Sequence, residues 1–425
     1  MIIVGGRPAG ATLAARLGAR GLRVLVVDRA SFPSQPAVPS SAVLYPGSMA
    51  ILDDLGIDEA SYVDEHSRMF GIRFGMAGIF EVSIGLPAMA AGRNYFVGLD
   101  RAGFDARLWR NLERFPSVER REGFAVADLL RDGATVIGVV GAPTGETPQE
   151  IRGRVVIGAD GRFSQVARKA GAEVVEDASR CTSTVYFAQW RGVRPPDEAR
   201  HSAMVYATGR GLDVLFFAEP GGVWSINTHA RSDRVDIAGD AQNYYLSTLR
   251  GQPRAWGLLA GAEQVSPVVG VKRIANGYRR AGGPGWALVG DALHYKDPVD
   301  GQGIYDALIE ARLLDRALGQ WFAGERSWAQ AIADYDAGVR AATHAMFEAT
   351  TARLARELYS EPPRAVIRTI IRWTMSDPRY QECFMRVLGR DVPPSAVSSR
   401  ALLGGAILRG IGRDLGGLVR GRGRA

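Results

Sequence analysis

The fold is decided by residues 1–28, which read MIIVGGRPAGATLAARLGARGLRVLVVD. Residues 1–4 and 24–27 are continuous apolar runs, typical of short buried strands. Between them, a glycine-rich turn leads into an Ala/Leu/Arg-rich stretch of helical composition, which Gly21 ends. Strand, glycine turn, helix and second strand in this order predict a βαβ unit with two parallel strands.

The turn at residues 5–10 is a candidate dinucleotide site. Its glycines allow backbone N–H groups to approach a pyrophosphate at a helix N-terminus. Asp28 stands 23 positions after Gly5, where an acidic side chain accepts hydrogen bonds from an adenosine ribose. Arg7 replaces the middle glycine of G-x-G-x-x-G, and its guanidinium either reaches the pyrophosphate or points away from it. A glycine turn that binds no ligand would have a similar sequence. This motif alone therefore does not show whether a dinucleotide binds here.

Two further strand ends carry carboxylates. The strand-like run at residues 154–158 ends in Ala159-Asp160-Gly161, and the apolar run at residues 286–289 ends in Gly290-Asp291. A proline- and glycine-flanked helix start then follows at residues 297–304. A helix N-terminus carries unpaired N–H donors and a positive partial charge, so it favours the negative charge of a reduced flavin.

These three motifs, together with Arg101-Ala102-Gly103-Phe104-Asp105, occur in the order and spacing of a known family. Over about residues 1–350, the chain resembles the single-component FAD-dependent aromatic hydroxylases, the p-hydroxybenzoate hydroxylase-like group A monooxygenases. The resemblance implies that FAD is the cofactor and that NADPH or NADH is a co-substrate. No second strand–glycine–helix unit for a nicotinamide cofactor is present in the sequence, which agrees with this family.

The resemblance also implies residue roles, of which only that of Pro298, beside the ring where oxygen reacts, is catalytic. The expected cofactor contacts are the pyrophosphate turn (Gly5, Gly6, Arg7, Pro8, Ala9, Gly10), the ribose acid Asp28 with its neighbour Arg29, Arg101 toward the phosphate or ribityl region, Val126 toward adenine, Asp160 in a motif shared by FAD and the nicotinamide cofactor, Asp291 on the ribityl chain, and Gly301, Gln302, Gly303 and Ile304 at the pyrimidine edge.

The expected architecture is α/β. A Rossmann-like FAD-binding domain comprises residues 1–75, 99–180 and 265–350, and a mainly antiparallel β-sheet substrate domain comprises residues 76–98 and 181–264. Residues 351–425 form a C-terminal helical region and tail. Because strand side chains alternate, half of the strand aromatics are expected in the core and half in an apolar pocket; they are Tyr186, Phe187, Trp190, Phe216, Phe217 and Trp224. Glycines in the tail, residues 401–425, predict a frayed, solvated end rather than a membrane anchor.

Several single residues keep two readings. Lys296 is either a charge partner for the flavin or substrate, or a solvated loop lysine. Asp297 precedes a predicted helix start, which favours a capping acid over a catalytic base. His201 and His229 are lone histidines in the strand-rich region, and we expect structural roles for both.

Composition narrows the classes of function. The net charge is +7, and 49 of the 52 basic residues are arginines. No arginine cluster is interleaved with stacking aromatics, so we expect no nucleic-acid partner. The two cysteines have no spacing for a disulfide framework or a metal site, and we expect a cytoplasmic protein, a monomer or homodimer, with no metal.

The resemblance implies a monooxygenase that hydroxylates a small aromatic or polyketide-like substrate with NAD(P)H and O2 through a C4a-hydroperoxyflavin. The composition suggests an enzyme of secondary metabolism or catabolism. A flavin-dependent halogenase is one alternative, but that family carries a W-x-W-x-I-P segment and an essential lysine after the first βαβ unit. The chain has no W-x-W pair and no lysine before Lys169. A geranylgeranyl reductase-like enzyme and a flavoprotein cyclase without net redox chemistry remain further alternatives.

Overall fold

The computed structural model describes residues 1–36, 42–89, 92–237 and 239–422. In these residues the strands are β1 (Ile2–Val4), β2 (Val24–Val27), β3 (Val43–Leu44), β4 (Arg68–Met69), β5 (Gly71–Met76), β6 (Phe80–Gly85), β7 (Phe96–Gly98), β8 (Val118–Arg121), β9 (Phe124–Asp132), β10 (Thr135–Pro143), β11 (Gln149–Arg152), β12 (Val156–Gly158), β13 (Val174–Asp177), β14 (Ser183–Arg191), β15 (Ala203–Ala207), β16 (Leu212–Glu219), β17 (Val223–Arg231), β18 (Glu263–Gln264), β19 (Val269–Ile274), β20 (Gly277–Arg279), β21 (Gly282–Gly283), β22 (Trp286–Leu288) and β23 (His294–Tyr295).

The helices of the same residues are α1 (Pro8–Ala19), α2 (Pro46–Asp54), α3 (Arg101–Asn111), α4 (Gln165–Ala170), α5 (Ala241–Arg250), α6 (Pro253–Gly257), α7 (Gly303–Phe322), α8 (Trp328–Leu358), α9 (Arg364–Val366), α10 (Arg372–Met375), α11 (Pro378–Leu388) and α12 (Arg400–Arg422). A π-helical turn, Ile367–Ile371, joins α9 to α10, and a 3-10 turn, Pro298–Asp300, precedes α7. Within the described residues, no helix combines the length and apolar character needed to cross a membrane.

The predicted βαβ unit lies at the centre of a six-stranded sheet of order β21-β22-β12-β1-β2-β8. Strand β1 pairs in parallel with β12 on one side and β2 on the other. Helix α1 packs against α7, and Arg16 and Arg20 of α1 lie 3.2 and 2.6 Å from the Asp315 carboxylate of α7. Strands covered on both faces need apolar side chains throughout, which is why the short apolar runs form this buried sheet. The predicted α/β class is confirmed.

A second sheet, of order β18-β14-β17-β16-β15-β5-β6 with β19 also on β14, is mainly antiparallel. Four of the strand aromatics pack in a core beneath α5 and α6; they are Tyr186, Trp190, Phe216 and Trp224. In this core the Trp190 indole donates to the Tyr245 hydroxyl at 3.0 Å. Strand alternation places Phe187 and Phe217 on the opposite face. That face also carries His229, which bonds to the loop before α7.

Two sheet memberships differ from the predicted domain boundaries. Strand β5 belongs to the second sheet, although residues 71–75 were expected in the first domain. Strand β19 pairs with β14, although residues 265–274 were also expected in the first domain. Both strands pair with strands that are distant in sequence, and local patterns do not reveal such pairing.

The expectation of a frayed tail is wrong for the described part of it. Helix α12 runs without interruption from Arg400 to Arg422. A Cβ built on Gly410 would lie 2.2 Å from the Trp373 ring, so the glycine lets the helix backbone approach that ring closely. Packing of this kind outweighs the poor helix propensity of glycine.

Candidate functional site

A cavity of about 550 Å³ runs along the carboxyl ends of the central strands. Its walls come from the β1–α1 turn, the end of β2, the start of β9, the loop after β12 and residues 290–307. Of the residues predicted to contact a cofactor, those on the cavity wall are Gly5, Arg7, Pro8, Ala9, Asp28, Arg29, Arg101, Val126, Asp160, Asp291, Pro298, Gly301, Gly303 and Ile304. Gly6, Gly10 and Gln302 are not on that wall, and their contacts explain why.

Gly6 and Gly10 shape the turn from beneath. A Cβ on Gly6 would lie 2.2 Å from the Trp109 ring, and a Cβ on Gly10 would lie 1.8 Å from the Gly5 carbonyl oxygen. Gly5 itself has φ +105°, a conformation that side chains with a Cβ rarely adopt. These glycines therefore allow helix and strand to pack closely, which presents the start of α1 to the cavity.

The start of α1 is open to an anion. Pro8 is its first residue, and among the described side chains none caps the helix. First-turn N–H groups of a helix have no partner within the helix, and they attract phosphate groups. Ala9, in this first turn, lies on the cavity wall.

Arg7 points its guanidinium away from this helix start. It donates to the Asp105 carboxylate at 2.5 Å and to the Ser34 carbonyl at 3.1 Å, and it lies over the Phe32 ring. Asp105 is fully buried and also pairs with Arg101 at 3.1 Å. Sequence analysis did not single out Asp105, although it lies in the Arg101–Asp105 segment that carried part of the resemblance.

Asp28 lies where an acidic side chain that binds ribose is expected, and its carboxylate also forms hydrogen bonds within the protein. One carboxylate oxygen accepts from the Gly6 N–H at 2.7 Å, and the other accepts from the Ala30 N–H at 2.8 Å. Each carboxylate oxygen has a second lone pair, so Asp28 can still accept from a hydroxyl in the cavity.

Asp160 anchors a helix at the cavity wall. Its carboxylate accepts from the Ser164 hydroxyl at 2.5 Å and from the Gln165 N–H at 2.6 Å, at the start of α4. Burial raises the pKa of Asp160 above its ordinary value despite these hydrogen bonds. The residue holds the loop after β12 in place beside the cavity.

Asp291 presents its carboxylate to the cavity, where its side chain is 39% exposed. The cavity lies deep in the protein, and this burial raises the pKa of Asp291. The Arg162 guanidinium is 3.6 Å away and donates to the carbonyls of Ala275 and Lys296, both at 2.6 Å. Sequence analysis missed Arg162 because its partners lie more than one hundred positions away.

Asp297 and His229 form a buried ion pair beside Pro298, with 2.9 Å between His229 Nε2 and an Asp297 oxygen. Asp297 also accepts from the Val299 N–H and the Ser183 hydroxyl. Burial opposes the charge of His229, yet the Asp297 carboxylate outweighs it and raises the His229 pKa. Burial likewise opposes the charge of Asp297, but His229 and the hydrogen bonds lower the Asp297 pKa.

The other end of this loop is also fixed. Asp300 pairs with Arg353 of α8 at 2.6 Å and accepts from the Thr350 hydroxyl at 2.6 Å. Asp297 therefore acts as a cap, as expected, and both carboxylates are committed to the protein. Pro298, on the cavity wall, therefore lies between two residues that are held in place, Asp297 and Asp300.

His294 contrasts with His229. Its Nδ1 is 3.2 Å from Glu310, and its ring stacks on Tyr278 with centroids 4.2 Å apart. Burial lowers the pKa of His294 to about 3, and burial raises the pKa of Glu310 well above its ordinary value. His294 is therefore neutral near pH 7.

Lys296 is buried rather than solvated. Its ammonium lies 2.6 Å from Asp306 in the first turn of α7, and Arg390 lies 2.6 Å from the other oxygen of Asp306. Burial would raise the pKa of Asp306, but Lys296 and Arg390 lower it. Burial lowers the pKa of Lys296, and the Asp306 carboxylate opposes that shift. When Lys296 is protonated, two cations surround one anion, and the group carries a net positive charge beside the cavity. Sequence analysis missed Asp306 and Arg390.

Gln302 belongs to this connection with the C-terminal helices. Its side-chain oxygen accepts from Arg390 at 2.8 Å, and its amide donates to the Leu388 carbonyl at 2.8 Å. The side chain thus ties the start of α7 to the end of α11 and does not reach the cavity.

The start of α7 leaves room for a ligand. Gly301 has φ +64°, which lets the chain turn sharply into the helix. A Cβ on Gly303 would meet no atom within 4 Å, and Gly303 lies on the cavity wall. The first-turn N–H groups of α7 therefore face space that a planar ring edge could occupy.

The residues present fit FAD. The open helix start at α1 suits a pyrophosphate, Asp28 suits a ribose, and Asp291 suits the hydroxyls of a ribityl chain. Among the described side chains none caps the start of α7, and this helix start and the open position at Gly303 suit the pyrimidine edge of a flavin.

Residues 1–350 match the family described as "FAD binding domain". The chain belongs to this family. FAD is thus the cofactor, and the protein is an FAD-dependent oxidoreductase, with group A monooxygenases among its relatives.

Proteins named for different reactions resemble the chain to similar degrees. A menaquinone reductase from Mycolicibacterium smegmatis (strain ATCC 700084 / mc(2)155) is 28% identical over 330 residues, which cover 74% of each chain. A 3-hydroxybenzoate 6-hydroxylase from Klebsiella oxytoca is 25% identical over 344 residues, covering 75% of this chain and 79% of the relative. A solved triple mutant of the flavin-dependent brominase Bmp2 has a TM-score of 0.75 at 19% identity, covering 96% of this chain and 98% of its own.

Proposed function

We propose that this FAD-dependent oxidoreductase is a monooxygenase that uses NAD(P)H and O2 to hydroxylate a small, electron-rich organic substrate. The observation that carries the proposal is the firmly held position of Pro298 on the cavity wall. Asp297 and His229 are each less than 3% exposed and hold one end of the Pro298 turn, and Asp300 with Arg353 holds the other. Oxygen transfer needs a site beside the ring from which water is excluded.

When bound, FAD supplies two-electron redox chemistry and oxygen activation. The residues of the chain bind the FAD and orient it. The start of α1 neutralises the pyrophosphate, and Asp291 fixes the ribityl chain. The start of α7, together with the net charge of Lys296, Asp306 and Arg390, stabilises negative charge at the pyrimidine edge. Because Asp297 and Asp300 are engaged by the protein, neither is free to serve as a substrate base.

A reductase is the second candidate, and the 28% identity to a menaquinone reductase supports it. The halogenase reading is weaker, because no lysine precedes Lys169 and no W-x-W pair exists in the sequence. No observation favours a cyclase without net redox chemistry.

The test is a comparison of aerobic and anaerobic turnover. Purified protein with FAD is given NADPH or NADH and a panel of phenols, polycyclic aromatics and a soluble menaquinone. The proposal expects one O2 and one NAD(P)H consumed per hydroxylated product, with peroxide falling as coupling improves. Anaerobic reduction of the quinone, or of an isolated double bond, without any hydroxylated product from the panel, would replace the proposal with a reductase. A product that forms only with halide would replace it with a halogenase.

A further inference from the structure

The positive charge of the chain is concentrated at one end. Residues 364–425 contain twelve arginines and four acidic residues, a net charge of +8. The preceding 363 residues contain 40 basic and 41 acidic residues, a net charge of −1. Such asymmetry is typical of proteins whose basic segment meets an anionic surface.

Helix α12 packs on the protein with one face only. Ala406 is fully buried, and Gly410 lies against Trp373. Asp414 accepts from the Trp373 indole at 2.8 Å, and Arg409 pairs with Asp377 at 2.7 Å. These contacts fix both the position of α12 and which of its faces points outward.

The outward face of α12 is apolar. Leu408 is 71% exposed, Ile411 is 38% exposed and Leu415 is 58% exposed. Their spacing of three and four residues places them on one side of a helix, opposite Ala406 and Gly410. Between residues 401 and 415, helical geometry puts Arg409, Arg413 and Asp414 on the inner or flanking sides. Isolated exposed apolar residues are normal, but an apolar stripe on a basic segment is not.

The same basic segment carries further exposed arginines. Arg364, Arg368 and Arg400 are exposed, and none of them has an ion-pair partner among the described residues. Arg413 lies on the inner side of α12, where its guanidinium donates to the Trp373 carbonyl at 3.2 Å. A helix with an apolar face and flanking arginines lies in the plane of a lipid interface, with apolar side chains among the acyl chains and arginines at phosphate groups.

We propose that α12 and the exposed arginines of the same segment form a docking surface for an anionic lipid bilayer. The helix would lie on the membrane without crossing it. Charge argues against a second copy of the chain as the occupant, because two segments of +8 would face each other. Nucleic acid is disfavoured because leucines offer no stacking surface for bases. This proposal concerns location and does not depend on the reaction at the FAD site.

The test is co-sedimentation of the full, FAD-loaded protein with vesicles. One set contains phosphatidylglycerol and phosphatidylcholine in equal parts, and the other contains phosphatidylcholine alone. We expect the bound fraction to favour the anionic vesicles by at least about tenfold at low salt and to fall as salt is raised. Equal binding to both vesicles, or none to either, would overturn the proposal.

A triple variant, Leu408→Gln, Ile411→Gln and Leu415→Gln, tests the stripe itself. It should lose at least about tenfold in vesicle affinity while keeping its FAD content and unfolding temperature. The matched control, Val174→Gln with Val175→Gln, changes two valines that are about half exposed elsewhere, on β13, and should bind as the wild type does. A triple variant that still binds would overturn the proposal. A wild-type dimer that the triple variant abolishes, seen by analytical ultracentrifugation, would assign the stripe to self-association instead.

Discussion

Substitution of Gly303 by valine should separate folding from cofactor binding. A Cβ at this position meets no atom within 4 Å, so the apoprotein has room for the new side chain. Valine also has a better helix propensity than glycine, by a few tenths of a kcal/mol, so apoprotein stability should hold. The added methyl groups enter the space assigned to the flavin edge, and such overpacking costs about 1–3 kcal/mol. At about 1.4 kcal/mol per tenfold, the Kd for FAD should rise roughly 5- to 150-fold.

The measurement is a titration of apoprotein with FAD, followed by quenching of flavin fluorescence, beside thermal unfolding without FAD. Gly257→Val is the matched control, because Gly257 also lies in a helix with no atom within 4 Å of its Cβ position and is away from the cavity. The control should bind FAD as the wild type does. If Gly303→Val binds FAD as tightly as this control, the start of α7 does not face the flavin, and the placement of Pro298 beside the ring fails with it.

Asp291→Ala should weaken FAD binding by about 1.5–3 kcal/mol, measured by the same titration, and unchanged affinity in a folded variant would show that the carboxylate does not reach the ribityl chain. Lys296→Met removes a buried positive charge and should make the flavin midpoint potential more negative by tens of millivolts, about 30 mV for 1.4 kcal/mol in a two-electron couple; an unchanged potential in a redox titration would place the ammonium outside the reach of the ring. The ion pair of His229 and Asp297 should stabilise the fold fully only between the ordinary pKa values of 3.8 and 6.5. Because the folded pKa of His229 is raised, its contribution is lost as pH rises through that value; because the folded pKa of Asp297 is lowered, its contribution is lost as pH falls through that value. In thermal unfolding across pH, His229→Asn should flatten this dependence, and a profile identical to the wild type would exclude the ion pair as its source.

Local patterns were sufficient for much of the cavity. Asp28 and Asp291 end apolar strands, and carboxyl ends of parallel strands meet at one edge of a sheet. Gly303 opens a helix whose start is visible from its flanking residues. These features depend on a few neighbouring positions, so the sequence alone could place them on a common wall.

The charged partners could not be found in this way. Arg162 reaches the Lys296 carbonyl across 134 positions, and Arg390 reaches Asp306 across 84. An acid in the first turn of a helix is also common for reasons of helix stability alone, so Asp306 gave no distinct signal. Lys296 had two readings in the sequence, and its burial beside Asp306 excludes the solvated loop lysine.

The tail shows a different limit. Its glycines predict weak helix formation when each is judged by propensity. Gly410, however, is required by the Trp373 ring that it contacts. Whether a glycine breaks a helix or admits a neighbour depends on a partner that the sequence does not identify.

The hydrogen bond between Gln302 and Arg390 affects where the protein can be truncated. The family match ends at residue 350, so a fragment that ends there would still contain the whole matched region. Such a fragment would lack Arg390 and Leu388, which satisfy Gln302 and Asp306 beside the helix start. It would leave the Gln302 amide with only its long hydrogen bond to the Asp300 carbonyl, at 3.4 Å, and Asp306 with one cation instead of two. We therefore expect that a fragment that binds FAD as the full chain does must extend at least to Arg390, forty residues beyond the end of the family match.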